Sequence, residues 1–139
     1  MFYEKMKIVV IIIILFLIKN FAPTENELVD TNWNLVSVSS SAFVELADTS
    51  CRTTLHFENE EKYNGYSGCN WFYGDYFSTA KGQLTMNNPM RTKKGCIRNC
   101  DLGEELFNTF PKIINYKLNG DTLKLLTTDS IKIIYLKVK

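Results

Sequence analysis

The stretch YSGCNWFYGDY, residues 66–76, brings aromatic side chains, two glycines and a cysteine together in one short segment. Gly68 and Gly74 mark positions where the chain bends or where another backbone comes close. The aromatic residues would alternate between the two faces of a strand, and each buried ring contributes a large apolar area. We therefore interpret the stretch as a strand–turn–strand corner of a folded core rather than as a catalytic pocket, and a shallow aromatic binding surface is the alternative.

A catalytic pocket would need a nucleophile with a base, or two convergent carboxylates. Ser67 does not fit the G-x-S-x-G pattern, because Cys69 stands where its last glycine should be. His56 is the only histidine, and Asp75 has no evident carboxylate partner. We expect no enzymatic activity, no catalytic residues, no cofactor and no metal site.

Residues 1–22 have the order of a secretory signal: Lys5 and Lys7, an unbroken apolar run over residues 8–18, then polar residues. The run is shorter than the roughly 20 residues of a spanning helix. Ala22 offers a small residue for cleavage but Pro23 follows it, so both a signal peptide and a signal anchor remain open. We expect a linker at 23–29, a domain at 30–139, and a protein that is periplasmic, secreted or anchored to the membrane by this segment.

The composition is balanced, with 16 basic and 15 acidic residues in a chain of 139. No nucleic-acid partner is indicated, and the expected partner is an envelope or extracellular protein that the sequence does not identify. Cys51, Cys69, Cys96 and Cys100 all follow the leader segment. An even number of cysteines in a small exported domain predicts disulfides, with three possible pairings.

Short alternating runs predict a mainly β fold with one helix. The runs are NWNLVSV, TTLHF, GQLTM and three strands after residue 112, of which the last is apolar on both faces and should lie inside the sheet. Asn64–Gly65 and Asn119–Gly120 predict tight hairpin turns, and residues 87–100 have the composition of a loop.

The helix is predicted to begin with Asp101 as its N-cap and Glu104 in a capping box. Pro111 should end this helix at or just before Phe110.

Two sequence blocks resemble the META-domain (HslJ-like) family. SGCNWFYGDY is similar to the family motif Gly-Cys-Asn-x-Phe-x-Gly-x-Tyr, and TKKGC is similar to its threonine-to-cysteine block, with Lys94 where methionine is usual. The motif positions are Gly68, Cys69, Asn70, Phe72, Gly74, Tyr76, Thr92 and Cys96. The resemblance extends from about residue 32 to residue 138.

The resemblance implies a compact antiparallel, barrel-like sheet with one packed helix, in an envelope or secreted protein linked to stress responses. It implies no established catalytic activity. Cys69 and Cys96 are the cysteines that the family shares, so the resemblance implies that they form one disulfide and that Cys51 and Cys100 form the other. We also expect the side chain of Asn70 to hold the corner by hydrogen bonds.

Three functions remain open at this point. The first is a non-catalytic envelope domain for stress response or protein interaction, and the second is a small barrel that carries an apolar ligand, which would need space between its large interior side chains. The third is an exported inhibitor that inserts its cationic 90–100 loop into an enzyme. The candidate partner-binding residues of this loop are Arg91, Lys93, Lys94 and Arg98.

Overall fold

A computed structural model describes residues 26–98 and 100–139 of the chain. The predicted signal peptide or anchor at 1–22 lies outside the described residues. Within them, no helix has the length and apolar character needed to span a membrane.

The described residues form nine strands, one α-helix and one 3₁₀ turn. The strands are β1 (Thr31–Ser39), β2 (Val44–Leu46), β3 (Thr53–Phe57), β4 (Lys62–Ser67), β5 (Trp71–Ser78), β6 (Leu84–Arg91), β7 (Ile113–Asn119), β8 (Thr122–Thr127) and β9 (Lys132–Lys137). Helix α1 (Asp101–Thr109) and the 3₁₀ turn (Phe110–Lys112) lie between β6 and β7. The helix thus ends just before Phe110, as Pro111 predicted.

All strands belong to one antiparallel sheet in the order β6-β5-β4-β3-β1-β9-β8-β7, with β2 paired to β1. The last strand, β9, lies between β1 and β8, which confirms its predicted place inside the sheet. The sheet curls into a half-barrel. Its two ends meet where Gln83 bridges to Asn115 and the N–H of Tyr116 donates to the Gly82 carbonyl at 2.8 Å. The expected mainly β, barrel-like fold is confirmed.

The core lies inside the curl, where alternate residues of β1, β3, β4, β5, β8 and β9 are buried over most of their length. Helix α1 packs on β4 and the 3₁₀ turn packs on β6, so together they close the open side. Phe110 of the 3₁₀ turn enters the core, where its ring centroid lies 5.1 Å from that of Phe72 and 5.8 Å from that of Tyr63. The long apolar side chains of a small domain are thereby removed from water, which is the main stabilising term.

The folded part begins earlier than the predicted boundary at residue 30. Leu28 is fully buried in the core, and the Asn26 side-chain amide donates to the Tyr76 hydroxyl at 3.2 Å. Residues 23–29 were expected to be linker because the stretch FAPTENELVD is polar and contains a proline. Residues 26–29 belong to the domain because the side chain of Leu28 enters the core.

The predicted turn at Asn64–Gly65 is wrong, because both residues lie inside β4. The turn occurs at residues 58–61, where the Asn59 side-chain oxygen accepts from the N–H groups of Glu61 and Lys62, both at 2.9 Å. Glycine stands at 65 for a different reason. A Cβ there would lie 2.2 Å from the Thr54 carbonyl oxygen and 2.4 Å from the Phe72 ring.

The predicted loop at 87–100 is wrong over its first five residues, because β6 continues to Arg91. Pro89 is tolerated there because β6 ends the strand order and its pairing with β5 is irregular between Tyr73 and Asp75. A proline lacks an N–H donor, so it fits a sheet at an edge or a bulge.

The hairpin predicted from Asn119–Gly120 is present, but its position is shifted by one residue. Asn119 pairs with Thr122 as the last residue of β7, so Gly120 and Asp121 form the loop. Gly120 has φ +57°, as a tight turn requires.

Replacing Gly65 by alanine should destabilise the domain by about 3 kcal/mol, because the new methyl group must displace a strand backbone and a core ring. Denaturant unfolding of the oxidised protein measures the change. Gly95→Ala is the matched control, since a Cβ at Gly95 would have no neighbour within 4 Å and should leave the unfolding midpoint unchanged. Equal midpoints for the two variants would contradict this close approach.

Candidate functional site: the Asn70 junction and the stapled loop

The stretch at residues 66–76 forms the corner between β4 and β5. Strand β4 ends at Ser67 and β5 begins at Trp71. The Ser67 N–H donates to the Asn70 carbonyl at 2.9 Å, which closes the turn. Gly68 has φ +88°, a conformation that side chains disfavour, so glycine is required there.

The Asn70 side chain connects this corner to its surroundings. Its oxygen accepts from the Thr92 hydroxyl at 3.0 Å and from the Lys94 N–H at 2.8 Å, and its nitrogen donates to the Glu104 carboxylate at 3.3 Å. Asn70 is buried. The expected hydrogen bonds are therefore present, and they reach β6, the following loop and helix α1. We call Ser67, Asn70, Arg91, Thr92 and Glu104 the Asn70 junction.

Glu104 belongs to this junction rather than to a capping box. Its carboxylate forms an ion pair with Arg91 and accepts from the Ser67 hydroxyl at 3.3 Å. Cys100 occupies the N-cap position without a side-chain cap bond, and Asp101 is the first helical residue. The capping prediction is wrong because the Glu104 side chain turns toward the sheet, where three donors surround it.

Arg91 differs from the other candidate partner-binding cations. Besides its ion pair with Glu104, its guanidinium carbon lies 4.9 Å from the centre of the Phe107 ring. A charged hydrogen bond and an aromatic stack together fix this side chain against helix α1. Arg91 is thus a structural residue of the junction in this fold.

Two disulfides flank the corner, with the pairing that the family resemblance implied. Cys69 is bonded to Cys96 and Cys51 to Cys100, across sequence separations of 27 and 49 residues. Each loop closure contributes about 3–4 kcal/mol in the chain-entropy account. Gly68 lies against the Cys51–Cys100 bridge, since a Cβ there would be 3.0 Å from the Cβ of Cys100.

The two bridges differ in exposure. Cys51 and Cys100 are both buried, whereas Cys96 is exposed and Cys69 is half-buried. The Asn70 side-chain nitrogen lies 3.6 Å from the Cys69 sulfur and 3.9 Å from the Cys96 sulfur. The outer bridge therefore closes the Asn70 junction from the solvent side.

Residues 92–98 form a loop that we call the stapled loop, because Asn70 holds its first half and the Cys69–Cys96 bridge holds its second half. Lys93, Lys94 and Arg98 are exposed on it, and Ile97 is fully exposed. Tyr66 lines a shallow groove beside the loop. The assignment of these three cations to partner binding stays a prediction.

An aromatic surface adjoins the stapled loop on the outer side of β4, β5 and β6. We call it the aromatic face, and its residues are Tyr66, Trp71, Tyr73, Phe77 and Met90. Tyr66 pairs with Trp71 across the strands, with ring centroids 5.2 Å apart, and Tyr73 pairs with Met90. Trp71 is 54% exposed. Sequence reasoning placed aromatics on both sides of this strand and kept a shallow aromatic binding surface as an alternative, but it did not identify which residues form that surface.

Asp75 lies in the same row of β5 as Trp71 and Tyr73, but its charge is neutralised locally. Lys62 forms an ion pair with it, and the Asn88 amide donates to it at 3.0 Å. These two hydrogen bonds, with the Lys62 bond as the larger cause, hold the pKa of Asp75 below its usual value. The carboxylate therefore remains paired rather than facing the aromatic face as a free charge.

The remaining motif residues support the core. Phe72 and Tyr76 are buried, and Tyr76 packs against Phe57 with ring centroids 4.8 Å apart. Gly74 makes room for the Tyr63 hydroxyl, which a Cβ would approach to 2.5 Å. Among the described residues, no group of histidine, cysteine or acidic side chains is arranged to hold a metal ion.

Replacing Asn70 by alanine should lower the free energy of unfolding by about 2 kcal/mol, because the buried amide is lost and the partly buried Lys94 N–H and Thr92 hydroxyl lose their acceptor. Thermal or denaturant unfolding with both disulfides intact measures the loss. Asn64→Ala is the control, since Asn64 makes one long, exposed bond of 3.4 Å to Glu58 and its removal should cost less than about 0.5 kcal/mol. Similar losses in both variants would argue against the junction.

Mild reductant should open the Cys69–Cys96 bridge before the Cys51–Cys100 bridge, because a thiolate must reach a sulfur atom and the outer bridge is the exposed one. Timed alkylation followed by peptide mass mapping records the order. Simultaneous opening, or earlier opening of the inner bridge, would contradict the exposure difference.

Comparisons with known proteins agree with this architecture. A family profile described as META domain matches residues 26–139. An NMR structure of a protein from Burkholderia xenovorans is 16% identical, with 81% of this chain and 84% of that chain covered and a TM-score of 0.67. A crystal structure of a duf4847 family protein from Bacteroides vulgatus ATCC 8482 is 13% identical, with coverage of 81% and 95% and a TM-score of 0.61. At these identities, the two structures show a shared fold alone.

A comparison with curated proteins gives no significant match. The family profile covers almost all of the described residues and includes both motif blocks around the Asn70 junction. The chain belongs to the META-domain family.

Proposed function

We propose that the chain is an exported, non-catalytic envelope domain that binds another protein through the stapled loop and the adjoining aromatic face. The carrying observation is the way the loop is held. Asn70 binds its backbone at Lys94, and the Cys69–Cys96 bridge fixes it two residues later. A surface that is already ordered loses less conformational entropy when it binds.

The chemistry of this surface suits a protein partner. Tryptophan, tyrosine and methionine are enriched at protein interfaces, and the rings of tryptophan and tyrosine bury large areas at low entropic cost. Trp71 lies next to the loop, because its backbone N–H donates to the Thr92 hydroxyl at 3.1 Å. Lys93, Lys94 and Arg98 add positive charge beside these rings. A partner with an acidic rim around an apolar centre would fit this surface.

The absence of catalysis is proposed from the way the reactive groups are used. The four cysteines form two disulfides. Asp75 is paired with Lys62, and Glu104 is paired with Arg91 inside the junction. These side chains are held in disulfides and ion pairs that serve the fold.

Export is proposed from two independent features. Residues 1–22 have the basic, apolar, polar order of a signal segment. Two disulfides in so small a domain fit an oxidising compartment. The role in stress response comes from the family resemblance, and stable bridges suit a protein that must persist when the envelope is damaged.

The packing of the interior weighs against a ligand carrier. Trp33, Phe57, Phe72 and Leu125 are all at most 2% exposed within the curl of the sheet. These are the side chains that would have to leave space for an apolar ligand. Their packing supports an interior filled by side chains, so a binding partner would contact the outer surface of the domain.

Affinity capture of the full chain from its native envelope, with and without reductant, tests the proposal. The double variant Lys93→Glu, Lys94→Glu should lower recovery of the partner at least about tenfold, because two rim charges are reversed. Reductant should lower recovery by releasing the loop.

Lys81→Glu, Lys139→Glu is the matched control, with the same change in charge at two exposed positions outside the stapled loop and the aromatic face. Partner recovery that is unchanged by the loop variant, or lowered equally by both variants, would contradict the proposed surface. If a captured partner is an enzyme that the wild-type chain inhibits and the loop variant does not, the protein acts as an inhibitor through this loop. A deletion strain should grow normally until its envelope is stressed.

A further inference from the structure

Three lysines lie together on the outer side of the last three strands. Lys117 on β7 lies directly opposite Lys124 on β8. Lys132 lies on β9, two residues before Ile134, which is directly opposite Lys124. Like charges in directly opposed positions of a sheet are destabilising. Among the described residues, none of these lysines has a carboxylate within ion-pair distance, and the strands β1, β7, β8 and β9 contain no acidic residue.

Apolar side chains continue the same surface. One row of directly paired residues crosses five strands from β2 to β7 and reads Leu46, Ser37, Ile134, Lys124, Lys117. Leu46 and Val44 of β2 are each 71% exposed, and Leu136 is 47% exposed beside Ile134. We call this surface the lysine face. Its exposed apolar side chains lie on β2 and β9, and its three lysines lie on β7, β8 and the first position of β9.

We propose that the lysine face docks on an anionic phospholipid surface. Lipid phosphates would pair with the lysines, while the leucine side chains would enter the boundary between headgroups and acyl chains. Long lysine side chains can lie along apolar surface and keep their charge in the polar layer. A membrane surface thus offers phosphates to the lysines and an apolar layer to the leucines. The phosphates also neutralise the opposed Lys117–Lys124 pair, whose repulsion is unfavourable in water.

Charge complementarity favours a lipid surface over a second copy of the chain. A symmetric dimer places the same patch on both sides of its interface. Two lysine faces would bring six lysines together, and the strands that carry the lysines, β7, β8 and β9, supply no carboxylate to neutralise them. Glu45 of β2 lies opposite Val38 and therefore points to the other side of the sheet from Leu46. An anionic bilayer supplies the missing negative charge at every position of the patch.

Amine labelling of the full oxidised chain tests the proposal, with mass mapping of each lysine. Vesicles of phosphatidylcholine with about one third phosphatidylglycerol should slow labelling of Lys117, Lys124 and Lys132 severalfold. Lys93 and Lys94 on the stapled loop, and Lys81 in the β5–β6 turn, serve as internal references that should label at their free rates. Vesicles of phosphatidylcholine alone control for binding through the apolar residues 8–18, which does not need an anionic lipid.

The protection should disappear with phosphatidylcholine alone and should weaken in 1 M salt, where charges are screened within about 3 Å. Equal labelling with and without anionic vesicles would overturn the proposal. Protection that appears without vesicles and rises with protein concentration would also overturn it, because a second copy would then cover the face.

Charge-neutral variants give an independent measurement. Each lysine near an anionic surface contributes roughly a fivefold preference. Lys117→Gln, Lys124→Gln should therefore reduce the anionic-over-neutral vesicle preference of the full chain about 25-fold. Lys93→Gln, Lys94→Gln removes the same charge from the stapled loop and should leave that preference unchanged. A larger loss in the loop variant would place the lipid contact on the wrong face and overturn the inference.

Discussion

The side chain of Asn70 is the constraint on which the arrangement around it depends. It lies at the end of the β4–β5 corner and reaches three other parts of the chain, namely Thr92 at the end of β6, the backbone of Lys94 and Glu104 on helix α1. Burial removes the hydrogen bonds that this amide would make to water, and these contacts replace them. The amide oxygen and amide nitrogen of this one side chain thus position a loop, a helix and a corner of the sheet relative to one another.

The sequence was sufficient for the class of fold and for the position of the corner. Strand periodicity identified most of the strands, and Pro111 located the end of the helix. Errors arose where tertiary contacts override local signals. Asn64–Gly65 has the composition of a turn, but Gly65 is required by the Thr54 backbone and the Phe72 ring. Pro89 has the character of a loop residue, yet it is accommodated at an irregular sheet edge.

The candidate site was predictable only in part, for a related reason. The motif residues around Cys69 and the disulfide pairing followed from the family resemblance. The role of Glu104 could not be read from its spacing, because a glutamate three residues into a helix has the same pattern whether it caps the helix or pairs with an arginine from another strand. The two exposed faces also depend on cross-strand register, which joins residues far apart in sequence, as Leu46, Ile134 and Lys117 show.

The hydrogen bond from Lys94 to Asn70 has a consequence for how such domains diversify. Asn70 contacts the peptide group of residue 94, so the fold does not depend on which side chain that residue carries. Lysine can occupy a position where relatives usually have methionine, and the loop keeps its path. A different side chain at this tip should therefore leave the path of the loop unchanged, so the surface that we propose for partner binding can vary without a change in the scaffold.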